Sequence, residues 1–260
     1  MDMRDDQVKR VIIDCFPESA RGYRDNYTMV AIDVIRATTT AITAAACGRK
    51  CFPVSSIKDA LSLASKLDNP LLAGELGGNM PYGFHMTNSP AEIDVRRDNS
   101  RPMILLSSAG TQLICEAQSD NGTYLACFRN YIALARYLSV HCTNVAVIGA
   151  GTRGEFREED QMCCAWIAEF LLQSGFAPVT DSTVEIVKRW KGARIDACLV
   201  SKSVEYLRKS WQIKDLDFIL GHINDLNSVF QLIGNEVVML PYTARENLKP
   251  VEAFSLNNEL

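Results

Sequence analysis

The sequence predicts a three-layer α/β/α fold: a mainly parallel sheet with helices on both faces and a helical C-terminal elaboration. Three observations lead there. Short apolar runs alternate with longer helical patterns through the first two thirds of the chain, which is how βαβ units read in sequence. The last third then changes to mostly helical patterns. A chain of 260 residues, 47% hydrophobic and 22% charged, can bury a large core without disulfide or metal staples, and that composition excludes disorder and fibrous repeats.

In chain order, the expected strands are Val11–Asp14, Thr28–Asp33, Cys51–Val54, Leu71–Ala73, Met103–Leu106, Thr123–Ala126 and Val145–Ile148. Each is a short apolar run bounded by polar or turn residues, the pattern of strands buried on both faces. Between them, helices are expected at Thr38–Cys47, Ile57–Lys66, Thr111–Gln118, Ile132–Val140 and Asp160–Gln173. Beyond these lie helical patterns at Thr183–Trp190, Ile195–Lys209 and Lys214–Leu220, and one late strand at Glu236–Leu240. Gly175–Thr180 is too short and too apolar for a domain linker. The expectation is therefore one domain, with a core over about residues 10–175 and a helical portion over about 181–260.

A net charge of −4 is no footprint for nucleic-acid binding, which favours a basic excess. No stretch approaches the roughly 18 apolar residues that span a bilayer. The opening MDMRDDQVKR lacks the apolar core of a secretory signal. No nucleic-acid partner, no membrane and a cytoplasmic location are expected. The nine cysteines have no CxxC spacing and read as reduced core thiols. Three scattered histidines offer no paired-ligand motif for zinc.

Ligands in open α/β sheets bind where strand-to-helix loops converge at strand carboxyl ends. Four such loops are unusually polar. In AIDVIRATTTAI, a strand delivers Asp33 and then Arg36 before Thr38, Thr39 and Thr40 open a helix. A helix N-terminus attracts anions, and arginine grips phosphate or carboxylate with a planar fork; capping by Thr38 and a surface Arg36 is the plainer alternative. In LLAGELGGNMPYGFHMTNSPAEI, Glu75 leaves a strand, and Asn88 and Ser89 precede Pro90 at a suitable first helical position. His85 lies in this same loop, where a ligand contact is expected. In MILLSSAGTQLI, Ser107 and Ser108 are followed by Gly110 and Thr111, a set that suits an oxyanion cradle or simple capping. In VAVIGAGTRGEFREEDQ, Gly149, Gly151 and Gly154 match the dinucleotide fingerprint GxGxxG. Glu155, Glu158, Glu159 and Asp160 then crowd the helix start with negative charge, which would repel a pyrophosphate and suit a hard divalent cation. The helix dipole alone also favours such a first turn.

The residues at these loops resemble the 2-phosphosulfolactate phosphatase (ComB) family. DVIRATTT from Asp33, Gly74–Glu75, Asn88–Pro90, Gly110–Thr111 and AGTRGEFREED from Ala150 to Asp160 carry the resemblance, in the family's order, across about residues 10–170. It implies a magnesium-dependent, homodimeric phosphatase of the coenzyme M pathway that hydrolyses 2-phospho-3-sulfolactate to 3-sulfolactate and phosphate. Two positions depart from the family pattern: His85 stands where an acid is usual, and Ala109 where an asparagine is usual.

The expected chemistry is Mg2+-assisted hydrolysis of a small anionic phosphate ester. Asp33, Glu75 and Asp160 are expected at the metal, and Asp33, Arg36 and Glu159 in catalysis. Thr38, Thr39, His85, Asn88, Ser89, Ser107, Ser108, Gly110, Thr111 and Gly151 are expected to bind substrate. Replacing Arg36 by Ala is expected to cut turnover and leave the fold intact. Two rivals stand beside this: an NAD(P)-binding protein using Gly149–Gly154, and a noncatalytic anion-binding homologue or a phosphatase of another ester.

Overall fold

Each of the seven apolar runs expected as strands between Val11 and Ile148 forms one. The structure is a computed structural model that describes residues 8–152 and 154–240. Its strands are β1 (Arg10–Asp14), β2 (Thr28–Ile32), β3 (Cys51–Val54), β4 (Leu71–Gly74), β5 (Met103–Leu106), β6 (Thr123–Ala126), β7 (Asn144–Gly149), β8 (Ala177–Pro178), β9 (Val229–Ile233) and β10 (Glu236–Leu240). They make one ten-stranded sheet in the order β4-β5-β3-β10-β9-β6-β2-β7-β1-β8. The helices are α1 (Ala20–Tyr23), α2 (Ala37–Ala46), α3 (Ile57–Ala64), α4 (Pro90–Val95), α5 (Gly110–Glu116), α6 (Tyr131–His141), α7 (Glu158–Gln173), α8 (Asp181–Trp190), α9 (Lys202–Lys209) and α10 (Ile213–Gly221). Among the described residues, no helix is long and apolar enough to cross a membrane.

The three layers follow from strand alternation. Val30 and Ile32 of β2 face one side, against Leu134 and Leu138 of α6 and Ile167 and Leu171 of α7. Met29 and Ala31 face the other, with Ile42 of α2 and Leu113 and Ile114 of α5.

The C-terminal part differs from the expectation of a helical elaboration with one strand. β9 was not legible as a strand, and β9 with β10 forms a hairpin in the middle of the sheet. β9 lies antiparallel to β6, through Tyr124 opposite Gln231, and β10 lies antiparallel to β3, through Val237 opposite Cys51. The available signal was Gly234–Asn235 between two apolar runs, a two-residue hairpin turn, and Gly234 has the positive φ of 60° that such a turn uses. The expected long helix Ile195–Lys209 is also broken. A 3-10 turn at Ile195–Val200 stops at Ser201, whose extended backbone and side chain cap α9.

The hairpin has a geometric consequence. Three antiparallel ladders separate β4-β5-β3 from β6-β2-β7-β1-β8, so these two parallel blocks run in opposite senses. Five interstrand steps separate β2 from β5, and the ordinary twist of about 20–25° per step turns one block by over 100° relative to the other. Helix α2 packs against strands of both blocks and of the hairpin, touching β3, β5, β6 and β10 as well as α4 and α5. Every residue from Ala37 to Ala45 is buried. Its sequence, ATTTAITAAA, is made of side chains small enough for close approach on all sides.

Phe230 of β9 is wholly buried where the hairpin joins the blocks. Phe230→Ala is expected to cost about 3–5 kcal/mol, read as a lowered midpoint in urea unfolding.

Candidate active site

The loops after β2, β4 and β5 and the first turn of α7 meet around the start of α2. Asp33 leaves β2 and is buried. Its carboxylate accepts the Ala37 N–H and lies directly over Gly110, where a Cβ would come within 2.0 Å of Oδ2. Gly110 is thus required by the close approach of Asp33, a role for its missing side chain rather than for its N–H. Asp160 Oδ1 accepts the Val34 N–H at 2.7 Å, which ties α7 to the same loop.

Glu75 is held by the following loops. Its Oε1 accepts the Ser108 N–H at 2.7 Å, and its Oε2 accepts the Gly78 N–H at 2.8 Å and the Ser108 hydroxyl at 3.0 Å. Glu159 is fully buried, and neither carboxylate oxygen has a hydrogen bond of full geometry. The hydroxyls of Ser201 and Ser203 stand near enough to favour its charged form.

Asp33, Glu159 and Asp160 resist ionisation. Burial pushes the Asp33 carboxyl up to about 7, the charges of Glu75 and Glu159 push the same way, and the Ala37 N–H and Arg36 oppose them. Burial and then the charges of Glu159 and Asp33 hold Asp160 well above the usual carboxylate range. Burial also raises Glu159. A divalent cation is the natural partner of such a group of hard oxygens. Among the described residues, no three His, Cys, Asp or Glu side chains are grouped so that together they could hold a metal ion. Magnesium usually takes one or two carboxylates and completes its shell with water and substrate oxygens, so the donors present fit that ion.

Arg36 follows a cis Ile35–Arg36 peptide bond and is 4% exposed. Its Nη1 donates to Asp215 and to Gln212 Oε1, and its Nη2 donates to Asn88 Oδ1 at 2.9 Å. Asp215 and Gln212 belong to the start of α10, which the sequence reading did not place at the site. Helices α9 and α10 roof it: Tyr206 donates to the Gly78 carbonyl, and Lys202 Nζ pairs with Glu155 at 2.6 Å. The signal for this roof was weak, because α9 and α10 look like ordinary amphipathic surface helices.

The remaining expected residues divide. Asn88 and Ser89 stand at the Arg36–Asp215 pair. Ser108 stands on Glu75. The Thr38 hydroxyl donates to the carbonyls of Asp33 and Ala126, and Thr39 to that of Val34, so both hydroxyls bind backbone. Ser107 and Thr111 exchange bonds with each other, Ser107 N–H to Thr111 at 2.8 Å and Thr111 N–H to Ser107 at 2.9 Å. Gly151 packs against the Cys15 carbonyl, which a Cβ would meet at 2.3 Å. His85 is not brought to the carboxylates. It runs along the outer edge of β4, its Nδ1 accepting the Leu72 N–H at 3.0 Å and its ring beside Arg101.

The dinucleotide reading does not match the structure. In that fingerprint the helix opens at the glycines, whereas here a tight Thr152–Glu155 turn intervenes and α7 begins at Glu158 with three acids in its first turn.

Buried carboxylates that resist ionisation, beside a tethered arginine at the strand ends of an α/β sheet, suit the handling of a small anion. Comparison with known proteins agrees and is more specific. The chain belongs to the 2-phosphosulpholactate phosphatase family, a family of phosphoric monoester hydrolases, whose description matches residues 15–238. Similar proteins include a probable 2-phosphosulfolactate phosphatase of Carboxydothermus hydrogenoformans, 32% identical over 75% of this chain and 86% of that protein. Another, from Symbiobacterium thermophilum and described in the same words, is 35% identical over 65% of this chain and 74% of that protein.

Two outcomes follow. A carboxyl raised in the folded protein binds its proton more tightly there than in the unfolded chain, so metal-free protein loses stability as pH climbs from the ordinary value of 3.8 to about 7. Asp33→Asn removes that loss, and its melting temperature at pH 8 without divalent cations is expected to exceed that of the unaltered protein. Arg36→Ala, by contrast, strands the buried Asp215 carboxylate. Its expected cost is about 3–5 kcal/mol, measured by urea unfolding.

Proposed function

We propose that this protein is a Mg2+-dependent phosphatase that hydrolyses 2-phospho-3-sulfolactate to 3-sulfolactate and phosphate, the coenzyme M type of reaction. The family match over residues 15–238 supports the reaction class. The observation that carries the mechanism is the meeting of Asp33, Glu159 and Asp160, each raised by burial, next to Arg36.

Asp33 and Asp160 would hold the cation, with water and substrate oxygens completing its shell; Glu75, whose oxygens accept from Ser108 and Gly78, lies beside them. When bound, Mg2+ supplies a Lewis acid for the phosphoryl oxygens and a lower pKa for a water. Asp33 is fixed for this by Ala37 and by the floor at Gly110, and Asp160 by the Val34 N–H. Arg36 meets the charge that develops on the transferring group, and its tethers keep reorganisation small. Glu159, raised by burial and without a full hydrogen bond, suits holding a proton. Asn88 and Ser89 line the arginine and favour anionic groups of the substrate through it.

The test is phosphate release from 2-phosphosulfolactate, with and without Mg2+, on folded protein. Magnesium-dependent release is the expected result, with Asp33→Asn lowering it by about a hundredfold or more. Absence of release from folded, magnesium-supplied protein would overturn the reading of the substrate.

A further inference from the structure

Arg36 has five N–H donors, and three are engaged within the protein: two on Nη1, to Asp215 and Gln212, and one on Nη2, to Asn88. Nε and the second Nη2 hydrogen make no hydrogen bond among the described residues. These belong to neighbouring nitrogens of a planar fork, whose spacing suits two oxygens of one phosphate or carboxylate.

Asp215 is itself immobilised. Its Oδ1 accepts the Ser89 hydroxyl at 2.5 Å and the Ala91 N–H at 3.2 Å, while Oδ2 faces Arg36. The side chains of Arg36 and Asp215 are 3% and 4% exposed. Helix α10 is seated in turn by Leu216, which packs with Val204, Leu207 and Ile35. The carboxylate therefore takes the Nη1 side of the guanidinium, and Asn88 takes one hydrogen of Nη2.

We propose that Asp215 is the positioning residue for Arg36, holding its Nη1 so that Nε and Nη2 are presented to the phosphoryl group of the substrate. The inference deepens the phosphatase reading and rests on Arg36 being the group that meets phosphate. It assigns a role in the reaction to α10, outside the loops that the sequence singled out. The opposite arrangement is an internal competitor, in which Asp215 occupies the arginine and must leave before substrate binds. Its anchoring by Ser89 and Ala91 and its place on Nη1 argue for the tether.

The experiment is a double-mutant cycle of Arg36→Gln, Asp215→Asn and the combined variant. Phosphate release from 2-phosphosulfolactate with Mg2+ is measured well below the lowest melting temperature, and the melting-temperature rise caused by inorganic phosphate is recorded for each protein. Asp215→Asn is expected to lower kcat/KM by about tenfold or more. In the Arg36→Gln background it should change kcat/KM by less than about twofold, because a residue acting through another has nothing left to position. The combined variant leaves no unpaired buried charge, so it should melt above either single variant and keeps the comparison on folded protein. The phosphate-induced rise should vanish in both single variants.

Asp215→Asn with unchanged or higher kcat/KM would overturn the proposal, as would losses that multiply in the combined variant. If the unaltered protein responds to phosphate but releases none, the phosphatase reading fails alone, and a response retained in Asp215→Asn then overturns the positioning role. If the unaltered protein does not respond to phosphate and hydrolyses nothing, both fail.

Discussion

Burial of α2 on every side is the constraint on which the rest of the structure depends. A helix enclosed by protein must satisfy its polar side chains locally, and its threonines do so by binding the segment that carries the site. Thr38 ties the Asp33 carbonyl to that of Ala126, Thr39 holds the Val34 carbonyl, and Thr40 joins the carbonyls of Arg36 and Asn88. The functional loop is thereby stitched to its own helix, to β6 and to the start of α4. A Val in place of one of these threonines would keep the shape and remove a hydroxyl bond between the loop, its helix and their neighbours.

The same enclosure explains the electrostatics. Acids that surface loops would leave hydrated are brought into a region of low polarisability, where each resists its charge and its neighbours increase that resistance. The fold accepts this because the compensating positive charge of Arg36 is within reach. The arginine in turn is kept in place by Asp215, so positive and negative groups alternate from α10 inwards to α7.

How far the sequence alone leads varies with the kind of interaction. Strands such as Met103–Leu106 and Cys51–Val54 are legible to the residue, because apolar runs between turns are a local signal. Asp33, Arg36, Glu75 and Asp160 were legible as polar exceptions at strand ends. Asp215 and Gln212 were not, since nothing local marks an acid on an amphipathic helix as the partner of an arginine far along the chain. The roles of Thr38, Thr39, Ser107 and Thr111 were misleading for a related reason: a hydroxyl looks the same in sequence whether it faces a ligand or a carbonyl. His85 shows the limit of the loop rule, because the long loop after β4 turns back along the strand edge and carries it away. The hairpin was half legible, with β10 visible and β9 hidden by its polar approach.

The central place of β9 and β10 bears on how the chain is made. A growing polypeptide leaves the ribosome from its N-terminal side, and both parallel blocks are complete in it before the hairpin that joins them has been synthesised. Until Val229–Leu240 emerges, β3 and β6 each present an open edge, the kind of edge that invites pairing with other chains. The pairing that closes the sheet, Val237 opposite Cys51, is available only once that hairpin has been made. Helpers that shield nascent chains would act in that interval, when the two half-sheets wait for their clasp.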